Sequence, residues 1–249
     1  MQIQFKQWLF QPRIFTSAIA ILVFSLFIKL GLWQLDRAEF KEKKYNTYLI
    51  KQAEPAINLK ELMDSTIVED MLWRAVYVDG YFNNDDQILL DNRVLKSKAG
   101  YYVYTPFKIN NSNNVVLVNR GWIEASTDRT TVPEIRVTED LTSIKGIVKA
   151  SPLTGIVLKE LPPEKIEDNI YRVQKINIEE LKQQLELDLL PYIVRLEPDS
   201  NHGYTREWNK PGSDQSKHLG YAYQWFAFAV TLLIIYLLLN IKKIREHEQ

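Results

Sequence analysis

Two apolar runs, one near each end of the chain, limit what it can become more than any other feature. The first is Ile14–Leu35, interrupted only by Lys29; the second is Leu219–Ile241, with no charged residue in its 23 positions. A bilayer core about 30 Å thick needs about 20 apolar residues at helical rise, so each run is long enough to span. The chain between them is charge-rich and broken by Pro and Gly. The reading is two transmembrane helices, at 14–35 and 219–241, around a domain at 36–218, with short flanks at 1–13 and 242–249. Whole-chain averages conceal this, because the formal net charge is zero and the mean hydropathy is −0.23.

A cleaved signal peptide would also place Lys6 and Arg13 ahead of an apolar stretch, but it ends on a small-x-small site. Gly31-Leu32-Trp33-Gln34-Leu35-Asp36-Arg37 lacks that pattern, which favours a retained anchor. Two spans put both termini on one side. Lys6, Arg13, Lys242, Lys243 and Arg245 flank the spans on the terminal side, and Arg37, Lys41, Lys43, Lys44, Lys210 and Lys217 on the other. Long loops cross membranes largely regardless of charge, so the Lys242-Lys243-Ile244-Arg245 cluster carries the vote. It puts the termini in the cytoplasm and the domain outside.

After Leu35 the Lys- and Glu-rich stretch Asp36–Gln52 reads as the first helix continuing until Pro55 stops it. The pattern then becomes strand-like. Ala75–Val78, Gln87–Leu90, Tyr101–Ile109, Val115–Val118, Ile144–Val148, Ile170–Val173 and Tyr192–Leu196 are short runs rich in Val, Ile and Tyr. Polar turns such as Asn83-Asn84-Asp85-Asp86 separate them, and Asn110–Asn114 reads as a hairpin loop. One helix interrupts the series, with Asn177 as its cap and Glu180 three residues on, ahead of Leu181 and Leu185. The fold class is a membrane protein with two transmembrane α-helices flanking a β-rich antiparallel, barrel-like α+β domain. Pro198–Lys217 reads as a polar linker into the second span.

Composition removes several chemistries. With no cysteine there is no disulfide, thiolate nucleophile, Cys-type copper or zinc site, or c-type haem attachment. His202, His218 and His247 are too few for a convincing zinc site, and the balanced charge gives no basic footprint for nucleic acid. No G-x-S-x-G elbow, P-loop or dinucleotide fingerprint occurs. Asp85-Asp86 with Asp91 could do acid–base work, but a polar turn at a strand end explains them as well. Glu160, Glu164, Glu167 and Asp168 fall in a Pro-containing acidic stretch that reads as solvated. The chain is not expected to be an enzyme.

Val116-Leu117-Val118-Asn119-Arg120-Gly121-Trp122-Ile123 is more pointed. An arginine in an apolar strand must pair or snorkel, and Gly121 allows a bulge or a close backbone. Arg120, with Arg93, is either a contact for an anion or partner or one half of an ion pair inside the barrel, and the ion pair is the plainer reading. The strongest stretch opens the second span: His218, Tyr221, Ala222 and Trp225 share one helical face. Gln224 is an amide in an apolar run and is expected to face protein or ligand. Trp33 and Gln34 fall at the same level in the first span, so His, Trp, Tyr and Gln meet in one interfacial layer. Aromatic residues also gather at membrane interfaces without any ligand, and that reading stays open.

These segments together carry a resemblance. Gly31–Arg37, Trp73-Arg74, Gly80-Tyr81-Phe82, Leu90-Asp91-Asn92-Arg93, Gly100–Phe107, Val118–Ile123 and His218–Ala227, in that order between two terminal spans, resemble the Surfeit locus protein 1 family. The resemblance implies an assembly factor for haem–copper cytochrome c oxidase that assists delivery or insertion of haem a into the catalytic subunit. It implies transient haem a binding, with His218 as axial ligand to the iron and Trp225, Tyr221, Gln224 and Trp33 around it. Arg120, Gly121, Trp122 and Arg93 become candidates for partner contact or fold integrity. Implied partners are the catalytic subunit, haem a synthesis or other assembly factors, and membrane lipid. The implied location is a bacterial inner membrane with the domain periplasmic. Two alternatives stand beside it: a cofactor-free scaffold for an oxidase intermediate, and a membrane-anchored extracytoplasmic enzyme.

Overall fold

The computed structural model describes residues 3–5, 8–63, 68–128, 131–138, 140–152 and 162–243. Along the chain come β1 (Ile3–Phe5), β2 (Trp8–Phe10), α1 (Ile14–Ala53), β3 (Ile57–Asn58), α2 (Leu59–Met63) and α3 (Val68–Met71). Then follow β4 (Ala75–Phe82), β5 (Gln87–Leu95), β6 (Lys98–Ile109), β7 (Val115–Glu124) and β8 (Thr142–Lys149). The remainder is β9 (Glu164–Glu167), β10 (Ile170–Val173), α4 (Ile178–Leu185), β11 (Leu189–Leu196), α5 (Gln215–Asn240) and β12 (Ile241–Lys243). The chain divides into two compact units, Met1–Tyr48 with Asn209–Gln249, and Leu49–Trp208.

The first unit is a helix pair. α1 and α5 are both long and apolar enough to cross a membrane, and only 6% and 11% of their most apolar windows is buried within the protein. The core helix of a soluble protein hides its apolar surface, whereas these helices turn theirs outward, as a lipid-facing helix does. They meet along small residues: Gly31 lies beneath the Phe226 ring, and Ala38, Ala222 and Ala229 are buried. Small side chains let the backbones approach where lipid supplies no hydrophobic drive. Phe27 packs against Trp225 and Phe228, and the Ser17 and Tyr236 hydroxyls share a hydrogen bond of 2.5 Å. α1 runs on to Ala53 and stops short of Pro55. β2 pairs antiparallel with both β1 and β12, tying the two terminal segments together.

The second unit is a barrel with an extension. β4, β8, β11, β7 and β6 follow one another in the sheet, and β6 returns to β4 through Gly80↔Ile109 and Phe82↔Phe107. Five strands thereby close, leaving no free edge among them. A Cβ on Gly80 would overlap the Lys108 carbonyl, so the closure needs glycine there. β6 is 12 residues long, and its first half pairs with β5, which carries β10 and β9 outward.

Strand alternation fills both faces. Val76, Val78 and Phe82 of β4, Val116 and Val118 of β7, and Tyr192, Val194 and Leu196 of β11 point into one core. Val115 and Leu117, with Leu189 and Ile193, point the other way against Ile178, Leu181 and Leu185 of α4. Two buried faces explain why these strands read as continuous apolar runs. Asn177 caps α4, its side chain accepting from the Glu180 amide at 3.4 Å.

The seven expected strands form, as does the Asn110–Asn114 hairpin between β6 and β7. Most neighbours are antiparallel, but β11–β7, β10–β5 and β3–β4 are parallel. Chain order explains the first of these: α4 carries the chain across before β11 pairs β7 in the same direction. The expected linker is corrected in its first half. Tyr204 donates its amide to Arg120 O at 2.7 Å, Thr205 bridges Trp122, and the Trp208 ring stacks on Tyr102 and Arg195. The segment 198–208 is a strap on the barrel, anchored by two aromatic residues that its polar composition conceals.

Candidate functional site

Within the helix pair, the His218 ring nitrogen Nδ1 lies 2.8 Å from Oε1 of Gln34. Gln34 is 9% exposed, buried against α5. An amide oxygen only accepts, so Nδ1 donates to it, and in the neutral imidazole Nε2 is left with its lone pair. An imidazole fixed in that tautomer is a competent nitrogen ligand for a metal, and its amide partner is the kind of outer contact that orients such a ligand. Farther along α1, Lys41 pairs with Asp214 at 3.0 Å, and its hydrogen bond holds the Asp214 carboxyl below the usual range.

The other residues of the expected layer separate. Trp225 turns inward onto Phe27 and Phe228. Trp33, Tyr221 and Gln224 face outward, with Trp33 55% and Tyr221 51% exposed. Gln224 stands six residues beyond His218, about 240° around the helix, so the two cannot share a face. Its amide points away from the helix pair, so of the two expected contacts, protein or ligand, the first is not made with the described residues of this chain.

In the barrel unit the conspicuous polar residue is Arg120, 3% exposed. A bulge aims it: Val103 pairs Gly121 and Tyr104 pairs Asn119, so Arg120 is the extra residue of β7. Its Nε donates to His202 O at 2.6 Å, and Nη1 to Ile135 O at 2.8 Å. Nη1 also reaches Gln87 Oε1 and Thr105 Oγ1, both at 3.2 Å. The Phe82 and Tyr204 rings lie 5.6 and 5.1 Å from the guanidinium carbon. Every described acceptor is neutral, so the expected ion pair is replaced by carbonyl, amide and hydroxyl oxygens and two aromatic faces. Burial lowers the Arg120 pKa, and Tyr204 opposes that shift.

Gly121 follows at φ +116°, a conformation that disfavours any side chain, with Thr205 O 2.8 Å from where a Cβ would sit. Trp122 is buried and donates Nε1–H to Arg93 O at 3.0 Å. Arg93 therefore joins the group through its backbone. Gln87, Thr105, Tyr204 and the His202 carbonyl complete the cluster, and none stood out in the sequence. The only hint was two polar residues, Gln87 and Thr105, at buried strand positions.

Comparison with known proteins decides the kinship. The sequence model of the SURF1 family matches residues 21–230. The chain belongs to the SURF1 family. A SURF1-like protein of Rickettsia felis is 30% identical over 90% of this chain and 96% of its own length. One from Rickettsia conorii is 31% identical over 90% of both chains. The Saccharomyces cerevisiae protein named cytochrome oxidase assembly protein SHY1 is 30% identical over 38% of this chain and 24% of its own. The SURF1 match takes in α1 from Ile21, the barrel, the strap and α5 as far as Val230.

Other titratable groups of this SURF1-family chain converge less. Asp86 is half-buried and accepts from Asn83 Nδ2 at 3.2 Å; burial raises its pKa, and Asp85 adds to the rise. Asp85 belongs to the turn itself, its amide donating to Asn83 Oδ1 at 2.8 Å. Asp91 accepts from the Asn92 amide at 2.7 Å. Glu164 pairs with Arg172 at 2.8 Å on the exposed β9–β10 edge, Glu160 lies outside the described residues, and so does His247. Among the described residues no group of three His, Cys, Asp or Glu side chains is placed to hold a metal ion.

Proposed function

We propose that this protein is an assembly factor for haem–copper cytochrome c oxidase that holds haem a transiently through His218 and assists its insertion into the catalytic subunit. SURF1 membership and the likeness to a yeast protein named for oxidase assembly support the assembly role. The observation that carries the cofactor reading is the Gln34–His218 pair, which leaves one imidazole nitrogen free to ligate iron. His218 would supply the axial nitrogen, Gln34 would hold its tautomer, and Trp225 would pack beside them. The haem supplies a Lewis-acidic iron that an imidazole can hold and release. No catalytic step by the chain itself belongs to this reading.

The reading places the protein in a bacterial inner membrane, both termini cytoplasmic and the barrel periplasmic, which Lys242 and Lys243 beside α5 support. Its partners are the oxidase catalytic subunit and factors that synthesise or pass on haem a.

The test is pigment analysis of the full chain purified after co-expression with haem a synthesis enzymes. His218→Ala is expected to lower co-purified haem and shift its absorption spectrum. Unchanged content and spectrum would remove His218 as ligand. A second reading, a scaffold that stabilises an oxidase intermediate without cofactor, gains support from Gln224. An amide facing outward from an apolar span is costly in lipid and favours a partner helix. A haem-free protein that restores oxidase assembly in a deletion strain would decide for the scaffold.

A further inference from the structure

Where α1 begins and α5 ends, the helices leave a cavity of about 640 Å³ between them. Its wall is apolar, made by Ile19, Val23, Leu232 and Leu239. Its end is polar and basic, with Arg13 just ahead of α1 and Lys242 two residues past α5. The neighbouring polar groups are already engaged. The Gln11 amide donates to Asn240 O at 2.9 Å, Asn240 Nδ2 donates to Tyr236 O at 2.7 Å, and the Tyr236 hydroxyl meets Ser17. Among the described residues, neither the Arg13 guanidinium nor the Lys242 ammonium has a side-chain partner and no Asp or Glu lines the cavity.

The arrangement is amphiphilic along the membrane normal. The two cations stand at the helix ends, at headgroup depth, and the apolar wall runs inward from them into the hydrocarbon layer. Basic pockets between transmembrane helices recognise anionic headgroups, because each cation gains near a negative surface while the groove takes the chain. Among the described residues of this lining a metal or haem iron finds no His, Met, Cys or carboxylate. A partner helix would leave two cations without a counter-charge. An anionic phospholipid satisfies both halves at once.

We propose that this cavity is a binding site for an anionic phospholipid, with Arg13 and Lys242 holding its phosphate and an acyl chain lying along Ile19, Val23, Leu232 and Leu239. The full chain, purified in mild detergent, would be titrated with phosphatidylglycerol or phosphatidylcholine of identical chains and its bound lipid counted by native mass spectrometry. One phosphatidylglycerol should be retained in clear preference to phosphatidylcholine. Arg13→Gln with Lys242→Gln should weaken that preference by about fivefold for each cation removed. Ala20→Leu, which keeps both cations and fills the groove, should reduce retention of phosphatidylglycerol, so the test stands even if the double variant folds poorly. Equal retention of the two lipids, or an unchanged preference in the folded double variant, would overturn the proposal. Displacement by inorganic phosphate as readily as by lipid would show a free-anion site and overturn it too. None of these outcomes bears on haem at His218, which lies at the opposite end of α5.

Discussion

His218 and Gln34 face each other across the two membrane helices, imidazole Nδ1 against amide oxygen at 2.8 Å. The contact joins the first turn of α5 to the middle of α1 and dictates which ring nitrogen is protonated. The imidazole should therefore show the Nδ1–H tautomer in nitrogen-15 spectra of histidine-labelled protein at a pH where the ring is neutral. Gln34→Leu should release it to a tautomer mixture and cost the helix pair about 0.6 kcal/mol, the usual worth of such a bond in a membrane. An Nε2–H tautomer in the unmodified protein would remove both the pairing and the free-nitrogen argument.

Arg120 is the barrel's most exacting buried group, because its donors point in different directions at carbonyls from two separate segments, Ile135 and His202. Removing the side chain would leave those two carbonyl oxygens without their donor inside the core, while Gln87 Oε1 would keep the Thr105 hydroxyl at 3.0 Å. Arg120→Leu is expected to cost about 3 kcal/mol, measured by denaturant unfolding of the full chain through tryptophan fluorescence. Arg120→Lys should recover less than half of that, since a single ammonium cannot span the fork. A lysine variant as stable as the parent would show that charge alone is what the site requires.

Much of this was legible along the chain, and what was not has identifiable causes. β4, β6, β7 and β11 announce themselves because Val, Ile and Tyr cluster between polar turns. Which strand pairs which is decided by contacts distant in sequence, so the β6–β4 closure and the parallel β7–β11 pair left no local trace. The strap at 198–208 was hidden by its Pro, Gly and Asn content, and only Tyr204 and Trp208 betray a docked segment. In the membrane layer, helical spacing picks out Ala222 and Trp225, which turn inward on the side of His218. Tyr221, on the edge of that face, turns outward, and Gln224, read as part of the layer, stands on the far side. Arg120 was visible as an anomaly in an apolar strand, yet its acceptors come from carbonyls, and carbonyls carry no sequence signature.

Gly121 joins strand to strap. Its φ is +116°, and the Thr205 carbonyl oxygen lies 2.8 Å from where a Cβ would stand, which leaves no room for a side chain. Gly121→Ala should cost about 2 kcal/mol from the backbone conformation alone. The strain is expected to appear as release of the strap, so trypsin should cut after Arg206 faster than in the parent protein. In the parent, Arg206 donates Nη1 to Ser200 O at 2.7 Å and is held down. Equal cleavage rates at equal protease would mean that the strap does not depend on the close approach.

Tyr192 is 1% exposed in the barrel core, and its hydroxyl has no hydrogen-bond partner among the described residues. Burial pushes its pKa from 10.0 up to about 12. A phenol with a raised folded pKa contributes fully below about pH 10 and loses that contribution as the pH climbs through about 12, because the unfolded chain ionises first. Tyr192→Phe keeps the packing and removes the unpaired hydroxyl. At neutral pH the variant should be as stable as the parent or more so, by about 1 kcal/mol, the lower cost of a buried unmade hydrogen bond. Between pH 10 and 12 the parent should fall relative to the variant, and the gap should widen with pH. Other buried tyrosines titrate in both proteins, so the quantity to follow is the difference between their unfolding midpoints across that window. A variant less stable than the parent at neutral pH would show that the hydroxyl is hydrogen-bonded after all, and a gap that stays constant above pH 10 would show that burial does not raise its pKa.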